Sequence, residues 1–324
     1  VLLQIYKKNL LPNTLGLLAY ALLLRLPHLY FNTPWLPSNN TSMLGQLVGF
    51  SAGIFWQLFS VVCAFLCAVM INRLFIRNRL TSEINLYPGM IFLLLLSATP
   101  TGWSWHISMV VLLLVLTILD HIYKSYKHTE TKGETFNVGV CTGLIVLLYP
   151  QAFLLIFFAF IGFFIIRNFR IKEVFQCVLG LICPFYVVGA VAYFLGSFSA
   201  LKAHLLQPFG FFLYNDLNLN SPWLFIAIPL LFIAISLALY GLVVAKNNNQ
   251  AVKKINILYW LLLMVALCVP IGYAVDISIV SLAIVPVSLT IGILLSRRYL
   301  GFWAELIHVF LIGISLYLQI KLYI

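Results

Sequence analysis

Carboxylates are scarce in this sequence: 8 Asp and Glu among 324 residues, against 19 Lys and Arg. Charged residues make up only 8% of the chain, where a soluble domain carries about 25%. That shortage excludes a globular protein with a water-exposed surface. Recognisable reaction motifs are missing as well. There is no DxD, HExxH or GxSxG pattern and no Gly-rich phosphate loop, so no motif points to catalysis. No internal repeat is visible, which weighs against transporter folds built from duplicated halves. The six cysteines (Cys63, Cys67, Cys141, Cys177, Cys183 and Cys268) form no CxxC pair and have no His at metal-ligand spacing. They read as small buried hydrophobes, and no metal is expected. The chain opens on Val1 without a Met or a cleavable signal pattern, so its true start is expected to lie upstream.

What the sequence does have is apolar surface. Hydrophobic residues make up 63% of it, and the mean hydropathy is +1.06. Runs of roughly 20 apolar residues recur from end to end, each long enough to cross a hydrocarbon layer of about 30 Å. The expected fold class is therefore all-α, a polytopic transmembrane helical bundle of about eleven spans, or about nine if the short segments between Leu86 and Ile166 lose a pair.

The spans are expected at Leu10 to Tyr30, Gly45 to Ile71, Leu86 to Thr99, His106 to Tyr123, Phe136 to Tyr149 and Ala152 to Ile166. Those that follow are Val174 to Leu195, Pro222 to Ala245, Ile255 to Val275, Ile277 to Ser296 and Leu300 to Ile320. The two short runs meeting at Tyr149-Pro150-Gln151 read as a tight helix pair. The stretch from Gly196 to Ser221 reads as an external interfacial helix or re-entrant segment. Residues 1–221 and 222–324 form two parts of one integral membrane domain.

Net charge of +11 would suggest nucleic acid in a soluble protein, but here the basic residues cluster at alternate span ends. With Lys7 and Lys8 cytoplasmic, sixteen of the nineteen Lys and Arg fall on that side, all but Arg25, Lys202 and Lys321. The positive-inside rule then gives a cytoplasmic N-terminus, and no nucleic-acid partner is expected.

Ionisable groups at membrane depth are functional suspects. On the external side these are Arg25, His28, His106, Lys202, His204, Asp216 and Asp276. Arg25 and His28 lie three apart on one helical face beside Pro27 and can together hold an anion such as a lipid phosphate, with the guanidinium acting as a bidentate fork. The commoner arrangement has Arg25 snorkelling to the headgroups and His28 at the interface. Asp216 and Asp276 are the candidates for a catalytic base or cation ligand, although isolated Asp in such contexts usually makes turns. Glu305 and His308, at i and i+3, suggest an interhelical hydrogen bond or, less commonly, a proton relay. Glu83, Glu130, Glu134 and Glu173 read as solvated loop charges.

Several local patterns stand in a familiar order. They are the span-one ending Leu23-Leu24-Arg25-Leu26-Pro27, the basic loop Arg73 to Arg79, a short span ending Ser97-Ala98-Thr99-Pro100, and the paired helices around Tyr149-Pro150. This layout, over Leu10 to Ser221, resembles the polytopic glycosyltransferases that use polyprenyl-phosphate sugars, the GT-C class. The resemblance implies a polyprenyl-phosphate lipid as ligand and an acidic base or metal ligand in the first external loop. Here the loop Phe31 to Leu44 contains no acid. The expectation is therefore a non-catalytic, lipid-binding or accessory subunit of a membrane complex, with no cofactor. An active transferase, in which a divalent cation has a place, and a transporter or flippase are the alternatives. The chain also resembles polytopic inner-membrane proteins of Bacteroidota, which implies a bacterial inner membrane as its location.

Overall fold

A computed structural model describes residues 2–31, 54–103, 105–126, 132–166, 170–206, 224–245, 247–271, 277–297 and 302–321. Among them every regular element is helical. In chain order these are α1 (Leu2–Ile5), α2 (Leu11–Leu23), α3 (Leu26–Phe31), α4 (Ile54–Arg77), α5 (Tyr87–Ser97), α6 (Ile107–Lys124), α7 (Lys132–Leu148) and α8 (Leu155–Ile166). The chain continues through α9 (Ile171–Phe194), α10 (Phe198–Leu206), α11 (Leu224–Ala238), α12 (Tyr240–Val244), α13 (Asn249–Cys268), α14 (Ile277–Leu282), α15 (Ile284–Arg297) and α16 (Phe302–Lys321).

Among the described residues, five helical stretches are long and apolar enough to cross a membrane: Ile54–Arg77, Ile107–Lys124, Ile171–Phe194, Asn249–Ile271 and Ser278–Arg297. At about 1.5 Å per residue, the longest of them exceed the thickness of a hydrocarbon layer. Six shorter apolar helices complete the set. Each of these eleven stretches overlaps one expected from the sequence.

The bundle has a centre and a rim. In Ser278–Arg297, 94% of the apolar window is buried, against 17% in Ile171–Phe194. The first therefore sits among other helices, and the second lies along the outside with Phe175, Tyr186, Tyr193 and Phe194 exposed. At the centre, α15 packs on α5, whose every residue is buried. Gly292 allows this approach, since a Cβ there would stand 2.5 Å from Pro88 Cγ.

At the rim, α9 is held by α7 through a seam of small residues. A Cβ on Gly139 would fall 2.1 Å from the Cys177 carbonyl oxygen, and one on Gly180 would fall 2.3 Å from that of Phe136. Only glycine lets the two backbones come this close. Thr135 Oγ1 donates to Gln176 Oε1 at 3.1 Å beside the seam.

Several local expectations need correction. The first span is not continuous, since α2 stops at Leu23 and α3 begins at Leu26. Pro27 supplies no N–H for the preceding turn and its ring crowds the carbonyl four residues back. Helix α7 begins at Lys132, four residues before the expected Phe136, and brings Glu134 into its first turn. Glu173 is buried rather than solvated, and its Oε2 accepts from the Arg170 backbone N–H at 3.1 Å at the start of α9. All six cysteines are free, but Cys183 is exposed on α9 instead of buried. The expected interfacial segment is a short helix, α10, over Phe198–Leu206, and the rest of that segment lies outside the described residues, as do Glu130 and the first external loop.

Candidate functional site

Helix α4 has a polar cluster at each end, and α6 runs beside it between the same two ends. At the first end the chain breaks between α2 and α3, and Arg25 lies in the break. Its side chain is 3% exposed, so it does not snorkel: helices α4 and α16 and the turn after α5 cover it. Arg25 Nη1 donates to Ser60 Oγ at 3.1 Å. The Ser60 hydroxyl donates to the Gln57 carbonyl at 2.8 Å, with the Trp103 carbonyl at 3.4 Å.

A guanidinium has five N–H donors and no way to shed its charge. Among the described residues, Arg25 makes one side-chain hydrogen bond and no ion pair, and its titratable neighbours are Cys63, Cys67 and His28. His28 is fully buried beside it, its ring 6.4 Å from that of Trp103.

The rest of this cluster explains how the break is tolerated. The helix ladder is interrupted between Leu23 and Leu26, and Gln319 from α16 reaches into the gap, with Nε2 donating to Leu24 O at 2.7 Å. A neighbouring helix thus supplies a hydrogen bond where the span is broken. Ser315, one turn earlier on α16, lies 2.8 Å from Ser97 Oγ, and Trp103 Nε1 donates to Ser97 O at 2.6 Å. Among the described residues, Gln319 Oε1 is buried without a partner. Farther along the same two helices, Tyr20 OH meets His308 Nε2 at 3.3 Å with the rings stacked. His308 thus joins α16 to α2.

Of the residues singled out in the sequence, the structure brings Arg25 and His28 together and gives His106 and His204 local roles. His106 caps α6, its Nδ1 accepting from the Ser108 backbone N–H at 3.2 Å. His204 is buried, and its Nε2 donates to Leu147 O at 2.9 Å, which fastens α10 to the end of α7. Lys202 is exposed on α10. Asp216 and Asp276 lie outside the described residues. Among the described residues no group of three or more His, Cys, Asp or Glu is arranged to hold a metal ion.

Sequence reasoning missed Gln57, Ser60, Ser315 and Gln319. The signal was available, because each pair recurs at i,i+3 or i,i+4 inside an apolar helix and so marks a polar stripe on one face.

The other end of α4 carries the opposite arrangement. Arg77 pairs with Asp120, whose second oxygen pairs with Lys124 at 2.9 Å, and His121 pairs with Glu134. Glu134 is thus a partner across α6 and α7, because the early start of α7 places it opposite His121. Lys254, 3% exposed, donates to Asn78 Oδ1 at 2.8 Å and lies 5.6 and 5.7 Å from the ring centres of Tyr123 and Tyr126. Tyr123 OH donates to the Lys254 carbonyl at 2.8 Å. This cation is enclosed by groups suited to it.

A model of the Family of unknown function (DUF6427) matches residues 44–323. The chain belongs to this family. The DUF6427 match takes in Ser60, Trp103, Gln319 and the whole Lys254 cluster, and begins after Arg25 and His28. No curated protein and no solved structure matches the chain.

Proposed function

We propose that this DUF6427 member is a polytopic protein of the bacterial inner membrane, with its N-terminus cytoplasmic and about eleven spans. In this reading it is a non-catalytic accessory subunit that holds the phosphate of a lipid, of the polyprenyl-phosphate kind, against Arg25 on the external side. Five helices long and apolar enough to span a bilayer support the membrane part. The observation that carries the binding part is the buried Arg25 guanidinium, which has one hydrogen bond and no carboxylate partner among the described residues. Burying a cation costs several kcal/mol unless an anion or several acceptors offset it. A phosphate offers three acceptor oxygens in a geometry that a guanidinium matches. His28 is buried beside it.

The test is a cryo-EM map of the protein purified gently from its native membrane, alongside the Arg25→Gln variant. The expected result is phosphate-sized density with an attached chain beside Arg25, absent from the variant. Density that persists in the variant, or an Arg25 paired with a carboxylate of its own chain, sinks the reading. If that carboxylate is Asp216 or Asp276 and a lipid phosphate is bound as well, the transferase alternative takes its place.

A further inference from the structure

Far from Arg25, the bundle has a groove of about 540 Å³ lined by Ile165, Leu237, Tyr240, Asn256, Trp260 and Leu263. It is formed by a helix break. Helix α11 ends at Ala238 and α12 restarts at Tyr240. At the break, the Ser236 carbonyl accepts from Tyr259 OH at 2.9 Å, and the Tyr240 ring meets that of Tyr259 edge-on at 4.9 Å. Tyr240 OH donates to Asn256 Oδ1 at 3.0 Å. Both polar groups therefore keep capacity for a ligand: hydroxyl lone pairs on Tyr240 and the two amide hydrogens of Asn256.

The sequence of side chains along α13 gives the groove a direction. Lys253, Asn256, Trp260 and Leu263 recur at i, i+3, i+7 and i+10, which places them on one face. Lys253, Trp260 and Leu263 are exposed. Along that face the character runs from cation to amide to aromatic to aliphatic, starting at the end of the bundle that holds Lys254. The neighbouring Lys254, by contrast, points inward to Asn78. An amphiphile with an anionic head and an apolar tail has the same order of groups. Pockets of this size with an apolar lining and a few polar groups are typical of small-ligand sites.

We infer that this groove is a docking site for an anionic phospholipid, with the phosphate at Lys253, the ester region at Tyr240 and Asn256, and one acyl chain along Trp260 and Leu263. It is separate from the Arg25 site and does not depend on it.

The test uses the full chain in nanodiscs containing phosphatidylglycerol or phosphatidylcholine with brominated acyl chains. The readout is the quenching of tryptophan fluorescence that is lost in Trp260→Phe. The expected result is quenching by the anionic lipid at a concentration roughly fivefold lower than by the zwitterionic one, the effect of one lysine at a membrane surface. Lys253→Ala, a substitution at an exposed position, should bring the two lipids together while leaving the quenching itself. Equal quenching by both lipids in the unmodified protein overturns the inference, as does selectivity that survives Lys253→Ala. Asn256→Leu serves as a second variant on the polar wall and should weaken both lipids, which share the ester region, without changing the ratio between them; unchanged quenching by both overturns the placement of the ester region.

Discussion

Arg25 and Lys254 are both buried cations at opposite ends of α4, and each is 3% exposed, yet they are solvated by the protein in different ways. Lys254 has a side-chain oxygen at 2.8 Å, two tyrosine rings around it, and a neighbouring network in which Arg77 and Lys124 share Asp120. Arg25 has a single serine hydroxyl. The contrast separates a cation that completes a structure from one that leaves donors for a ligand. A lysine ammonium has three donors, and an amide oxygen with two aromatic faces goes far towards meeting them. A guanidinium has five, and one hydroxyl does not.

The comparison can be broken by substitution. The largest effect is expected from Lys254→Ala, which leaves Asn78 Oδ1 buried without its donor and opens a cavity between Tyr123 and Tyr126. It should cost about 3 kcal/mol, read as a lower melting temperature of the purified protein. Arg25→Met should behave in the opposite sense. In protein stripped of lipid, replacing an under-partnered buried cation by an apolar chain of similar length should stabilise by about 1 to 2 kcal/mol. Loss of stability on the scale of Lys254→Ala would mean that Arg25 is as fully engaged by the chain as Lys254.

Gln319→Leu removes the donor that meets the Leu24 carbonyl at the Pro27 break and should cost about 1 kcal/mol, measured in the same melting assay. It sharpens the comparison by testing whether the Arg25 end is held by α16. The smallest effect concerns the Lys254 end. Arg79 has φ +48 at the end of α4, and Leu80 N donates back to the Phe75 carbonyl at 3.3 Å, a helix ending in which glycine is the usual residue. Arg79→Gly should therefore stabilise by about 1 kcal/mol by relieving left-handed strain. No change in the melting temperature would mean that this strain is offset by contacts of the arginine side chain.

Much of the fold was legible because its signal is local. The long apolar runs are helices, but the break in the first span went unread, because Leu10 to Tyr30 is apolar throughout and hydropathy does not register the N–H that Pro27 lacks. The exposed Cys183 and the buried Glu173 were misread for one common reason. Burial depends on which helix faces which, and a rim helix such as α9 presents most of its surface outward whatever its hydropathy. The candidate site was half legible. Arg25 and His28 stood out as charged or titratable groups in an apolar run, whereas Ser60 and Gln319 are small or neutral and gain meaning only when brought to the break. His106 and His204 looked equally suggestive in the sequence, and both turned out to hold backbone groups.

The sequence by itself determined that this is a helical chain with many apolar segments, because helix formation and hydropathy are properties of consecutive residues. Only the tertiary structure decided which of its cations are answered. Lys254 meets Asn78 across 176 positions of the chain, and Gln319 meets Leu24 across 295. Pairing at such separations is set by helix packing, which depends on where the glycines at 139, 180 and 292 let backbones approach and on where helix breaks admit a donor from a neighbour.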